Sequence, residues 1–426
     1  MTALALLGGP PLRTRPFQPW PQFDRAELDA LADVLGSRRW GGIHGGSQGE
    51  VFETELADYL QVPHAAVVAN GTAGLMIALK ALGVRPGDEV IVPAMTYLAT
   101  ATAVSLLGGV PVFVDIDSAT HTITGSSLKG AISEKTKAVI AVHLGGHPAD
   151  MDSLGAVADT YGIPVVEDCA QSLGAAWNGT QTGSLGTIGV FSFASTKNIS
   201  AGEGGAVVTH DDALAARIAS LRDHGRPLGG TPNHPELGWN LRLSEFQSAV
   251  LRIQLKRLEA HLAVKAKGAA FLALALSRLP GLMPVPATLD PRVTAHGRFS
   301  FAFTFDGEAF NGDGYNSTSP GAFRAALRAE GIPASTRGLV ACPDEAVYAD
   351  ITSRDYSSSR TVSAEQARVA CSTLVLLGQA AGSGLLLEGP SELTDVVRAV
   401  EKIHENRIRL RQEQRRPARP HVSSDQ

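Results

Sequence analysis

The sequence predicts an α/β protein, with a large domain built on a mostly parallel sheet of seven-stranded type under helices and a smaller α+β domain after it. Three observations predict this. Runs of nearly continuous Val, Ile and Ala, each of strand length, alternate with helical tracts, the pattern of strands buried on both faces. A long helical tract at 243–278 follows, beyond which the alternation changes character. At 426 residues the chain also exceeds what one ordinary core organises.

Residues 1–24, with PFQPWPQF, read as an irregular arm. Asp24 can cap a helix over DRAELDALADVLGSRRW, with Leu28, Leu31 and Leu35 at helical spacing. Gly41, Gly42, Gly45 and Gly46 form a flexible segment before a second helix, EVFETELADYL. Strand AAVVA (65–69), helix TAGLMIALKAL, strand DEVIVP (88–93), helix TYLATATAVSLL and strand VPVFVDI (110–116) come next. KAVIAVHL (137–144) and PVVED (164–168) are strands around the helix MDSLGAVADTYG. TIGVFSF and GAVVTH have no helix between them, so one of the two is expected to run antiparallel. The expected division is arm 1–24, large domain with connector helix 25–275, small domain 276–408 carrying FSFAFTF (299–305), and disordered tail 409–426.

Composition excludes several classes. A net charge of −5 and a pI near 6.2 leave no nucleic-acid or polybasic membrane footprint. Three cysteines without a CxxC pair fit neither a disulfide framework nor a zinc ribbon, and no clustered motif supports a metal. No apolar run approaches the roughly 20 residues that span a bilayer. A soluble, cytoplasmic protein is expected.

Chemistry in such sheets belongs beyond the carboxyl ends of the strands. Asn70-Gly71-Thr72 follows the first strand and opens a helix, so its N–H groups and hydroxyl suit an anion, although the same triplet is an ordinary cap. Asp168 ends PVVED with Gln171 three residues on, while alternation turns Glu167 to the other face. Tyr97 is either a ring over a planar ligand or core packing. Ser192 can join the anion site, and Lys197 stands alone among small residues in FSFASTKNISAGEGGAVVT. His143 has a substrate-side and a structural reading, and His147 and His224 read as satisfied loop residues. Arg222, Arg226 and Arg337 are either anion binders or solvated side chains. Together, an anion cradle, an aromatic ring, a carboxylate and an isolated lysine are what pyridoxal 5′-phosphate asks of a site: donors for phosphate, a stacking partner, an acid partner for the ring nitrogen, and an amine for the aldehyde.

The motifs ANGTAGLMIALKALGVRPGDEVIVPAMTYLATATAV, VVEDCAQSLGA, GSLGTIGVFSFASTKNISAGEGGAVVT and GWNLRLSEFQSAVL resemble the DegT/DnrJ/EryC1/StrS family of pyridoxal-phosphate aminotransferases, of fold type I. The likeness runs from about residue 18 to 275 and weakens to about 405. The resemblance implies that Lys197 is the Schiff-base lysine and acid–base group, and Asp168 the partner of the pyridine nitrogen. It also implies that Gln171 lies beside the ring hydroxyl, Tyr97 stacks, and Gly71, Thr72 and Ser192 contact phosphate. Asn240, in GWNLRLSE, matches a residue that reaches the phosphate across a homodimer interface.

The implied reaction moves an amino group from L-glutamate or L-glutamine to a ketone on a cyclitol of scyllo-inosose type or on a nucleotide-linked sugar, in antibiotic biosynthesis. Lysine rather than histidine at 197 favours transamination over sugar dehydration. PFQPWPQFDRAEL and SRRWGGIHGG resemble the cyclitol and aminohydroxybenzoate branches, so an aminohydroxybenzoate-synthase-like, shikimate-type ketone is the alternative. The carboxy-terminal half departs from the family pattern: GLVACPDEAVYADITSRDYSSSRTVSAEQ lacks the usual His- and Pro-rich stretch. A nicotinamide oxidoreductase would need G-x-G-x-x-G after the first strand, where NGTAGL stands.

Overall fold

The computed structural model describes residues 2–41, 47–227, 233–286, 289–312, 317–336, 338–349 and 358–414. Gly42, Gly45, Gly46, Arg337 and residues 415–426 lie outside the described residues.

The strands in chain order are β1 (His64–Val68), β2 (Glu89–Pro93), β3 (Val110–Val114), β4 (Thr136–Val142), β5 (Val165–Asp168), β6 (Ala176–Trp177), β7 (Thr180–Gln181) and β8 (Ile188–Ser192). They continue with β9 (Gly205–Thr209), β10 (Leu282–Val285), β11 (Val293–Ala295), β12 (Ser300–Phe305), β13 (Ala334–Ser335), β14 (Arg360–Thr361) and β15 (Leu374–Gly378). The large sheet has the order β1-β9-β8-β5-β4-β2-β3-β14. From β8 to β14 every pairing is parallel, and β9 is antiparallel to both neighbours, as the missing helix between TIGVFSF and GAVVTH requires. The sheet thus has seven principal strands and an eighth of two residues, which comes from sequence beyond residue 276.

Helices Gly71–Ala81, Ala99–Ser105 and Met151–Tyr161 connect the parallel strands. The central strands are buried almost throughout, which explains their uninterrupted Val/Ile/Ala composition. The second sheet, β10-β12-β15-β13, is wholly antiparallel. Its core is phenylalanine-rich: Phe305 stacks on Phe323 with centroids 4.1 Å apart, and Phe310 meets both rings. One helix, Glu245–Leu276, joins the two layers and is opened by a Ser244–Gln247 capping box.

The irregular arm is docked: Leu4 and Phe17 lie in the second core, and Arg13 pairs with Glu392 and Asp395 at 2.7 Å each. Three expectations are modified. The division at 276 is crossed, because Cys342, Tyr348 and Cys371 pack into the core of the large sheet. The tail expected to be disordered from 409 is helical over Arg407–Gln414, because Leu410 buries itself in the second core. The first helix forms over Arg25–Ser37 under its Asp24–Glu27 capping box, but the face it buries carries Glu27 and Val34. Leu28 and Leu35 point to solvent, since Arg257 and Gln254 of the long helix take Glu27 as their partner. Among the described residues, no helix is long and apolar enough to cross a membrane.

Candidate active site

A cavity of about 590 Å³ opens beyond the carboxyl ends of β1, β2, β5 and β8, with β12 of the second sheet closing the other side. The switch in strand order puts it there, since neighbouring connections leave on opposite faces. Gly71, Thr72, Tyr97, Asp168, Gln171, Ser192 and Lys197 all line it.

At one end, the helix Gly71–Ala81 begins against β8. Asn70 caps it by accepting from Ala73 N–H at 2.8 Å, and the first-turn N–H groups of Gly71 and Thr72 have no intrahelical acceptor. The triplet is a helix cap, and the capped geometry leaves the Gly71 and Thr72 N–H groups free of intrahelical acceptors, as the anion reading needs. A Cβ at Gly71 would lie 2.8 Å from Ser192 Cβ, and one at Gly205 would lie 2.6 Å from the Asn70 carbonyl carbon. Glycine at both positions lets the helix start, β8 and β9 converge, so Gly205 serves this approach of backbone to backbone.

At the other end, Asp168 is 7% exposed. One carboxylate oxygen accepts from the Thr100 hydroxyl at 2.8 Å and the other from Ala170 N–H at 3.1 Å, so the group is locked in orientation. Glu167 faces away, as strand alternation requires. It accepts from the N–H groups of Gly183, Leu185 and Gly186 at 2.6–2.8 Å and pairs with His143 at 2.9 Å. Ala149 N–H donates to His143 Nδ1, so Nε2 holds the proton that Glu167 accepts. His143 and Glu167 are thus a buried scaffold beneath Asp168. With Cys169, whose thiol is pushed well up by burial, they bring three ligand-type atoms within 4.8 Å, all held by hydrogen bonds of the fold.

Gln171 accepts from Gly145 N–H at 2.7 Å, leaving its amide nitrogen for a ligand. Tyr97 is 60% exposed at the cavity mouth, which removes the core-packing reading. Lys197 sits in the connection between β8 and β9, with Nζ 5.0 Å from the centre of the Phe299 ring.

The sequence reading missed a further wall of the cavity, lined by His121, His147, His296, Arg298 and Ser300. His121 Nε2, His147 Nδ1, Arg298 Nε and Ser300 Oγ are buried without a hydrogen-bond partner. Burial pushes His121 and His147 down to about 4, and for His147 the nearby His143 and Arg298 act in the same direction. Burial and then Arg298 hold His296 well below the usual imidazole range. These are neutral rings, each with one donor and one acceptor. Arg298 forms no ion pair among the described residues, and its backbone is left-handed at φ 45°, about 1 kcal/mol or more of strain for a residue with a Cβ. The close pass of Gly146, where a Cβ would lie 2.8 Å from Arg298 N, helps hold it there. His147, expected to be a satisfied loop residue, instead has an unpartnered Nδ1 and lies on the cavity wall. A signal existed in AHGRFSF, where His296 and Arg298 directly precede a strand, but nothing local placed it in the same cavity as Lys197.

Other sequence candidates lie elsewhere. Arg222 pairs with Glu53 and donates to the Val67 carbonyl at 2.9 Å, and Arg226 lies 3.7 Å from Asp223. Asn240 is exposed, bridged to Asp223, and outside the cavity lining.

Comparison with known proteins agrees with this geometry. The model of the "DegT/DnrJ/EryC1/StrS aminotransferase family" matches residues 21–371. The chain is 41% identical over 314 residues to an L-glutamine:2-deoxy-scyllo-inosose aminotransferase of Streptomyces fradiae, covering 70% of this chain and 72% of that one. It is 34% identical to the Micromonospora echinospora protein of the same name, over 96% of this chain and 100% of the relative. The crystal structure of 3-amino-5-hydroxybenzoic acid synthase superposes with a TM-score of 0.82 at 30% identity, covering 94% of this chain and 100% of that one.

Proposed function

The chain belongs to the DegT/DnrJ/EryC1/StrS aminotransferase family, and from that premise we propose that it uses pyridoxal 5′-phosphate to transfer the amino group of L-glutamine or L-glutamate. The acceptor is a ketone on a cyclitol of scyllo-inosose type or on a nucleotide-linked sugar, and the product serves antibiotic biosynthesis. The relatives named for L-glutamine and 2-deoxy-scyllo-inosose support the cyclitol first.

The residues fit the cofactor. The Gly71–Thr72 N–H groups and Ser192 form a cradle for phosphate that a Cβ at Gly71 would fill. Asp168 is aimed into the cavity with its rotation locked, the arrangement a ring nitrogen needs. Tyr97 offers a ring face and Gln171 an amide nitrogen. When bound, the group supplies the electron sink that carries the amino group between donor and acceptor. Lys197 holds the cofactor through its amine and, once released, moves the proton at the substrate's amine-bearing carbon. Donor and acceptor use one site in turn, so ping-pong kinetics follow.

The observation that carries the acceptor class is the wall of unpartnered polar atoms. A hydroxyl, like a neutral imidazole, both donates and accepts, so a ring bearing several hydroxyls can satisfy His121, His147 and Ser300 at once. Arg298 suits the carboxylate of the amino donor, which the neutral rings do not. A panel of keto-cyclitols, nucleotide-linked keto-sugars and shikimate-type ketones, each offered with either donor, tests the reading. Keto-cyclitols with L-glutamine are expected to give the highest kcat/KM, and L-glutamine alone should bleach the cofactor's visible band. Dehydrated products with no bleaching by either donor would refute it.

The active unit is proposed to be a homodimer. Asn240 is exposed away from its own cavity, and Leu28, Leu35 and Leu237 expose 49, 55 and 88% of their surface, apolar area that a second copy would cover. Sedimentation of the active enzyme is expected to show no monomer, and an active monomer would remove Asn240 from the site.

A further inference from the structure

Beneath the cavity a second lysine is buried. Lys265 stands on the long helix Glu245–Leu276, 1% exposed, and no carboxylate pairs with it among the described residues. Its ammonium donates to Asn198 Oδ1 at 3.1 Å and to Gln379 Oε1 at 2.5 Å, and it lies 4.9 Å from the centre of the Trp20 ring. Those two amides then point their nitrogens at main chain. Asn198 donates to the carbonyls of Leu173 and Gly297, and Gln379 donates to the carbonyl of Lys197 at 3.2 Å.

The geometry is directional. A lysine ammonium can only donate, so it dictates that both amide oxygens face it and both amide nitrogens face away. Lys197 sits where no strand or helix ladder holds its carbonyl, and its neighbour Asn198 is the residue being gripped. Gln379 comes from the end of β15 in the second sheet, Gly297 from the segment before β12, and Trp20 from the arm. One buried group therefore ties three distant parts of the chain to the turn that carries the reactive amine.

An unpaired ammonium is costly to bury, and burial pushes Lys265 down to about 7. Burial is the whole cause of that shift. On the same helix burial and then the Lys265 charge hold down His261, which is edge-on to Trp20, and the facing elements present Asn198, Gln379 and Trp20, none of which titrates. A methionine would pack there more cheaply, so stability does not account for a lysine at this position.

We propose that Lys265 is a positioning residue for amino transfer: acting through Asn198 and Gln379, it fixes the main chain of Lys197 against the second sheet. The inference rests on the assignment of Lys197 made above.

The test compares the cofactor-loaded wild type with Lys265→Met, Gln379→Leu and the double variant, by kinetics and by amide hydrogen exchange. Lys265→Met is expected to lower kcat about 10- to 100-fold while donor KM changes less than about threefold, the signature of a misplaced reacting group. Exchange in the peptide spanning 194–201 should quicken about tenfold with the rest of the chain unchanged, which general loosening would not produce. The double variant should lose no more than the worse single variant, because both act through one network. A folded Lys265→Met with kcat within twofold of wild type, uniform exchange, or multiplicative losses would overturn the proposal. If Lys265→Met does not fold, the kcat and local exchange of Gln379→Leu decide it by the same criteria. Failure of the wild type to react with either donor would overturn the Lys197 assignment and this inference together, whereas a reactive wild type with an equally reactive variant overturns this inference alone.

Discussion

Lys197→Ala is expected to lose multiple-turnover amino transfer by about 10³- to 10⁴-fold or more, the largest effect of any single change. In the proposed reaction the lysine has two tasks for one atom, covalent attachment and proton transfer, and general acid–base catalysis alone is commonly worth about 10²–10⁴. Its stem emerges from the β8–β9 connection beside Phe299, and among the described residues no other lysine lines the cavity to replace it. The fold should survive, because the side chain is only half-buried and alanine suits the turn. Cofactor is still expected to bind through the Gly71–Thr72–Ser192 cradle but to wash out after denaturation, even with borohydride treatment beforehand. Steady-state assay with mass spectrometry of the reduced protein checks both halves. Sustained turnover, or a borohydride adduct on another residue, would refute the assignment.

Asp168→Asn is expected to lower kcat about 10²- to 10³-fold, the scale of losing one preorganised electrostatic partner. Ala170 N–H donates to one carboxylate oxygen, so an asparagine keeps its oxygen there and places its NH₂ toward Thr100. That hydroxyl can turn to accept, so the packing is retained while the group facing the ring nitrogen can no longer act as an anion. Melting temperature is expected to change by only a few degrees, which separates the electronic effect from unfolding. Near-normal kcat with bound cofactor would mean that another group partners the ring nitrogen.

Much of this site was legible from residue order. Strand ends are visible in sequence, and a chemistry-bearing residue just beyond one points into the crevice of such a sheet. Asp168, Tyr97, Gly71–Thr72 and Lys197 all follow that rule, and Glu167 turns away from the cavity by the period of two. The first helix shows the limit of the same reasoning. Its capping box was legible because the contact spans three residues, but its buried face was not, because Glu27 turns inward for an arginine 230 positions away.

The sequence by itself determined the alternation of elements, the antiparallel return around the lysine and the part of the cavity lined by Gly71, Thr72, Asp168 and Lys197. Each depends on local periodicity or on the ends of single strands. Only the tertiary structure decided the histidine-lined wall, the docking of the arm and the pairing of residues 360–361 with the large sheet. It also decided that a lysine on the long helix reaches the turn of another lysine through amides from two different segments. The physical reason is separation along the chain. His147 and His296 become neighbours, and Lys265 meets Gln379, only after two sheets have closed on one another, and no local pattern encodes that meeting.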